Sequence, residues 1–222
     1  APSALADIDP GPKEGFRRLI HRAPLGLVLV LAPWNYPYLT AVNAVAPALV
    51  AGNVVVLKHS GQTPLCAERM VAAARSAGIP DGVFQFVHMS RDLTAETVAD
   101  RRVDHVAFTG SVEGGHAVVR AASERFISFG LELGGKDPAY VRADADIGFA
   151  AENVVEGALF NSGQSCCGVE RIYVHDAVWD DFIEAAVAAV SGWRLGLPDD
   201  PETMLGPVAR AHSAREIQAQ ID

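Results

Sequence analysis

Between Leu25 and Phe129, short apolar runs alternate with longer stretches of helical composition, and this alternation restricts the fold more than any other feature of the chain. The first run, Leu27-Val28-Leu29-Val30-Leu31, contains no polar residue, as expected of a strand buried on both faces. Further runs predict strands over Val54–Leu57, Val83–Val87, Val103–Phe108 and Phe126–Phe129. Between them the sequence predicts helices over Leu39–Ala51, with Pro47 inside and Gly52-Asn53 as the stop, over Cys66–Ala77, closed by Gly78, and over Asp92–Ala99. Another helix starts at Ser111. Strand and helix in regular alternation predict an α/β fold with a doubly wound parallel sheet and right-handed crossovers.

A second α/β unit is expected beyond Gly134-Gly135. It comprises a strand over Ala139–Val141, a helix over Ala145–Phe160, a strand over Arg171–Val174 and a helix over Val178–Val190. A long loop, WRLGLPDDPETMLGP, then leads to a helix opening near Ala211. Residues 1–24 are separate in character. An irregular Pro-, Gly- and Asp-rich stretch precedes FRRLIHRA, which suits a polar strand or hairpin arm. The expected organisation is an arm over 1–24, a doubly wound domain over 25–134 and an incomplete second domain over 135–222.

With 222 residues, half of them hydrophobic, there is ample material for a core. The net charge of −9 and the scattered basic residues argue against a nucleic-acid partner. Three cysteines, two of them adjacent, make no disulfide framework and fit a reducing, cytoplasmic setting. No apolar run approaches the ~20 residues of a membrane span, the N-terminus lacks a signal-peptide core, and dispersed histidines speak against a metal.

Several segments carry chemistry. FNSGQSCCGVER presents Cys166 and Cys167 after a Gly-Gln turn, with Gly163 and Gly168 available for unusual torsions. The segment reads either as a nucleophile or as small packed thiols, and Cys66 in its Ala-rich helix reads as core. PWNYP, Pro33–Pro37, directly follows the first strand, where open parallel sheets bind ligands; it is equally readable as a stiffened turn with a packed Trp. Lys58 ends the second strand, either as a simple charged cap or as an anion contact. FTGSVEGG, Phe108–Gly115, sits at a strand-to-helix junction that offers free N–H groups to a phosphate, or serves only as a glycine-bearing cap. Glu132 lies between two leucines in ELGGKDP. A carboxylate in apolar company has a raised pKa, which suits a general base; the alternative is an ion pair with a nearby Lys or Arg.

PWN, VVLK, FTGS with its later Gly, ELGGK and GQxC occur in one order along the chain, and in that order they resemble the aldehyde dehydrogenase superfamily. The resemblance implies an NAD(P)-dependent enzyme of the hydrolytic type, acting on a small-molecule aldehyde. Cys166 would be the nucleophile, Asn35 and the Cys166 N–H the oxyanion donors, and Glu132 the base that activates water. Cofactor contacts would come from Pro33, Trp34, Lys58, Gly61, Gly110, Ser111, Gly115 and Leu133. Many NAD-preferring relatives carry Glu where this chain has Gly61. Nothing there repels a 2′-phosphate, so NAD and NADP both stay open. Glu132 speaks against the CoA-acylating branch, which with an inert nucleotide-binding module forms the alternative readings. The chain also departs from the family. His88-Met89-Ser90-Arg91 replaces a usual glycine-containing loop, and Ala44 replaces a common Lys. Relatives are roughly twice as long, so a fragment lacking the distal E-x-F element is expected. The arm implies a homodimer or homotetramer at full length.

Overall fold

A computed structural model describes residues 2–221, which divide into two compact units, Ala1–Leu133 and Gly134–Asp222. Unit 1 opens with a short helix α1 (Pro2–Leu5) and an exposed stretch in which Ile8 bridges Ile20 and Lys13 bridges Phe16, both antiparallel. It continues through β1 (Leu27–Ala32), α2 (Pro37–Val50), β2 (Val54–His59), α3 (Pro64–Ser76), β3 (Phe84–Phe86), α4 (Arg91–Ala99), β4 (His105–Thr109), α5 (Val112–Ala122) and β5 (Ser128–Glu132). The strands form one parallel sheet in the order β3-β2-β1-β4-β5.

Side chains alternate across a strand, so an unbroken apolar run must meet a hydrophobic layer on each side. β1 does so. Val28, Val30 and Ala32 join Val55 and Leu57 in one core with Ala41 and Val45 of α2 and Ala67 and Val71 of α3. Leu29 and Leu31 join Val106 in a second core with Val98 of α4 and Val118 and Ala122 of α5. Within α2, α3 and α5 these helical members recur at a spacing of four, which is one helix face. Each fully buried aliphatic side chain contributes about 1.5–3 kcal/mol.

Polar groups close the corners. Asn53 is buried where α2 turns into β2; its Oδ1 accepts from the N–H groups of Leu25 at 2.7 Å and Gly26 at 3.1 Å, and its Nδ2 donates to the Ala48 carbonyl at 2.9 Å. The fifth strand starts two residues later than the sequence predicts, and the reason is Arg125. Its guanidinium donates to the carbonyls of Val98, Asp100 and Val103, which holds the preceding chain in a turn until Ser128 pairs with His105.

Unit 2 has a two-stranded parallel sheet of β6 (Asp137–Val141) and β7 (Val169–Val174), with α6 (Ile147–Leu159), α7 (Trp179–Ser191) and α8 (Ala211–Ile221). Its core is small: Val141, Ala151 and Phe182 are buried together. Asp146 caps α6 by accepting from the Phe149 N–H at 3.1 Å. Among the described residues no helix is long and apolar enough to cross a membrane.

Candidate active site

In unit 1 the carboxyl ends of four parallel strands share one edge of the sheet. Ala32 pairs with His59, Leu31 with Phe108, and Thr109 with Glu132. The chain leaves β1 toward β2 on one side and later returns to β4 on the other, so the edge between β1 and β4 is the point where the winding direction reverses. Ligands of open α/β sheets bind at such a point. Pro33, Trp34 and Asn35 follow β1, Lys58 is the penultimate residue of β2, Gly61 lies in the next turn, Gly110 and Ser111 follow β4, Glu132 closes β5 and Leu133 follows it. Apart from Gly115, on α5 itself, every unit 1 residue to which the resemblance gives a catalytic or cofactor role lies at this edge or in the turns that leave it.

Asn35 is half-buried in the turn before α2. Lys58 is half-buried too; burial, and then the positive charge of Arg91, push its ammonium below the usual lysine range. Two cations therefore stand near one strand end, and the position of the Gly61 Cβ would be open space. Ser111 caps α5, its Oγ accepting from the Gly114 N–H at 3.1 Å. The glycines of this segment also make room for neighbouring side chains. A Cβ at Gly110 or Gly114 would lie 2.7 or 2.6 Å from the tip of the Phe108 ring, and one at Gly115 would lie 2.9 Å from a Leu133 methyl. Their space is filled by the chain's own side chains. Paired cations, a capped helix start and a sheet switch point are nevertheless what a phosphate-bearing dinucleotide needs, and these residues fit one.

Glu132 departs from both readings of the sequence. It is exposed rather than enclosed by its leucine neighbours, since successive side chains along a strand point to opposite faces. Among the described residues it forms no ion pair, and Lys136 pairs with Glu170 instead.

In unit 2, Cys166 and Cys167 are both exposed and Cys66 of unit 1 is half-buried; all three are free thiols. The turn before them is left-handed at Asn161 (φ 53°), Ser162 (φ 57°) and Gly163 (φ 70°). Among the described residues, Asn161 and Ser162 are the non-glycine positions with such torsions, each costing about 1–2 kcal/mol. Gly168, expected to share this role, does not. Side chains hold the turn. Ser162 Oγ donates to the Gly206 carbonyl at 2.7 Å, and Gln164 Oε1 accepts from the Ala209 N–H at 2.8 Å. Gln164 Nε2 also donates to the Asn161 carbonyl at 2.9 Å. Gly135 packs beside the nucleophile candidate: a Cβ there would lie 3.0 Å from the Cys166 carbonyl oxygen. Burial first, then the charge and hydrogen bond of Cys167, push the Cys166 thiol up; its own backbone N–H, which donates to the sulfur, pulls the other way.

Reading the sequence alone misses His59 and Gln164. His59 was detectable by period-two alternation, since it follows Val55 and Leu57 on the buried face of β2. Gln164 had no such signal, because its partner lies 45 residues away. A cavity of about 260 Å³ lies at the opposite end of the sheet, beside Leu25, Asn53 and His105, away from all of these groups.

A family model described as aldehyde dehydrogenase family matches residues 5–222. The succinate-semialdehyde dehydrogenase [NADP(+)] 1 of Mycobacterium tuberculosis is 39% identical over 199 residues, covering 90% of this chain and 44% of that protein. An NADP-dependent enzyme of E. coli superposes with a TM-score of 0.93 at 31% identity, covering 98% of this chain and 46% of that one. An NAD-dependent aldehyde dehydrogenase from Sinorhizobium meliloti gives a TM-score of 0.84 at 36% identity, covering 89% and 40%. The chain spans less than half the length of the curated relatives it matches, 44% of one and 49% of another.

Proposed function

The chain belongs to the aldehyde dehydrogenase family, and from that premise we propose that the protein oxidises an aldehyde to a carboxylic acid with NAD or NADP through a thioester on Cys166. The observation that carries the reading is the gathering of Asn35, Lys58, Gly110-Ser111 and Glu132 at the carboxyl ends of β1, β2, β4 and β5. The dinucleotide, when bound, supplies the hydride acceptor. Lys58, with Arg91 beside it, is assigned to the ribose or 2′-phosphate, and Ser111 with the start of α5 to phosphate; Pro33, Trp34, Gly61, Gly110, Gly115 and Leu133 line the rest.

The remaining steps belong to the protein. Cys166 sulfur adds to the carbonyl carbon, and the oxygen takes up the negative charge. The Asn35 amide and the Cys166 N–H donate to that oxygen; such a donor is worth about 10²–10³ in rate. Loss of hydride from the same carbon leaves a thioester. Glu132 then takes a proton from water, which attacks the thioester and releases the acid and the Cys166 thiol. The exposure of Glu132 supports access to water. The raised Cys166 thiol means that little thiolate stands ready, so activation has to accompany substrate binding.

The positive charge of Arg91 acting on Lys58, with Gly61 in place of a Glu, supports NADP as the preferred dinucleotide, since a 2′-phosphate would relieve the repulsion. The substrate named for the Mycobacterium relative supports a short semialdehyde as the first to try. An aldehyde as small-molecule partner, a full-length homodimer or homotetramer and a cytoplasmic setting complete the reading, the last supported by three unpaired thiols. In a chain of full family length, Cys166→Ala should abolish reduced-cofactor formation, and undiminished turnover would refute the assignment. Glu132→Gln should preserve a first burst of reduced cofactor and slow every later turnover.

A further inference from the structure

His59 is the charged-type side chain buried most deeply in unit 1, with 2% of its surface exposed. The roles proposed above leave it without a task. Its hydrogen bonds define its protonation. The Ser60 N–H, which can only donate, points at Nδ1 from 3.1 Å, and the Thr63 hydroxyl lies 3.0 Å from the same nitrogen. Nδ1 is therefore an unprotonated acceptor, and the ring proton sits on Nε2, which donates to the Pro37 carbonyl at 2.8 Å. The Ser60 N–H also donates to the Ala32 carbonyl at 2.9 Å. Ala32 and Pro37 are the residues on either side of Pro33-Trp34-Asn35-Tyr36.

We propose that His59 is a positioning residue: with Ser60 it clamps the turn bearing Asn35 at both ends, and the neutral Nε2–H tautomer is the form that bonds Pro37 and Ser60 together. Protonation of Nδ1 removes that acceptor from the Ser60 N–H, reverses the bond with the Thr63 hydroxyl and places a charge in the core, while the Pro37 bond stays. Burial, and then the positive charges of Lys58 and His88, favour the neutral ring, while the bond to Pro37 opposes them. The other titratable groups on the elements packed around it are Tyr38 on α2 and Cys66, Glu68 and Arg69 on α3, with Glu68 paired to His88 at 3.0 Å. A depressed histidine keeps its bond from the Ser60 N–H above about pH 6.5 and loses it, with a charge forced into the core, as pH falls through its own lower pKa. The consequence for catalysis rests on the proposed role of Asn35; the clamp itself does not.

The test uses this chain without aldehyde or dinucleotide, so its failure falls on the clamp and not on the dehydrogenase reading. Gln keeps a donor near the position of Nε2, and Asn keeps an acceptor near Nδ1 but cannot reach Pro37. Hydrogen exchange at residues 34–36 should quicken about tenfold in His59→Asn, the loss of one buried hydrogen bond. It should change far less in His59→Gln, and the β4 amides should not change in either. In a background with Trp179→Phe and Trp193→Phe, Trp34 emission should show an acid transition below pH 6.5 that His59→Gln abolishes. Equal exchange at residues 34–36 in wild type and His59→Asn would overturn the proposal. So would an acid transition that persists in His59→Gln, a result that stands even if the Asn variant does not fold.

Discussion

The two units place reactive residues by different means. Unit 1 sets Asn35, Lys58, Ser111 and Glu132 on the ends of strands whose centres are packed on both faces, in two separate cores. Unit 2 places Cys166 after three left-handed residues, over a core of three buried side chains, and holds it with a hydrogen bond that Ser162 donates to Gly206 and one that Gln164 accepts from Ala209. Packing is non-directional and shared among many atoms, so the edge of unit 1 has redundancy. The cysteine turn has little: each tie is one bond, worth about 0.5–1.5 kcal/mol, set against the torsional cost of Asn161 and Ser162. Such turns persist where the surroundings over-determine them, and in this chain the surroundings are polar.

Mutations that separate packing from polar ties sharpen this contrast. The largest effect is expected at Phe182, 2% exposed and the biggest member of the unit 2 core. Phe182→Ala should cost about 3–5 kcal/mol, against about 2–5 for Leu29→Ala in unit 1. Denaturant titration followed by Trp179 and Trp193 emission reports the first, and Trp34 emission the second. If Phe182→Ala proves mild, the unit 2 core matters less than its geometry implies.

An intermediate effect is expected at Gly135, where a Cβ would press on the Cys166 carbonyl oxygen at 3.0 Å, whereas Gly134 has nothing within 4 Å. Gly135→Ala should cost about 1–3 kcal/mol and alter the alkylation rate of Cys166 by iodoacetamide, while Gly134→Ala leaves both unchanged. Identical behaviour of the two variants would remove Gly135 from the support of the nucleophile.

Cys167 should give the smallest change. It raises the Cys166 thiol by charge and hydrogen bonding. Cys167→Ala therefore lowers the Cys166 pKa, enlarges the thiolate fraction below it, and shifts the alkylation midpoint of Cys166 to lower pH. A midpoint that stays or rises would leave burial and the charge of Asp137 as the causes.

Much of this arrangement is legible in the sequence. The run from Leu27 to Leu31 announces a doubly buried strand because backbone alternation leaves no other place for five consecutive aliphatic residues. The ends of the first four strands then bring Asn35, Lys58 and Ser111 to one edge by topology alone. What escapes is set by distant partners. Arg125 delays β5 by binding three carbonyls. The glycines of FTGSVEGG make room for Phe108 and Leu133, which local motif reading cannot anticipate. The left-handed torsions at Asn161 and Ser162 carry no composition signal comparable to a glycine.

The most direct measurement is a fluorescence titration of this chain with NADPH and NADH, repeated with Lys58→Ala. The gathered strand ends of unit 1 predict saturable binding, tighter for NADPH, and a loss of about tenfold or more for NADPH in Lys58→Ala with a smaller loss for NADH. Folded chain that binds neither dinucleotide, or that binds both with equal strength whether or not Lys58 is present, would contradict the assignment of that edge.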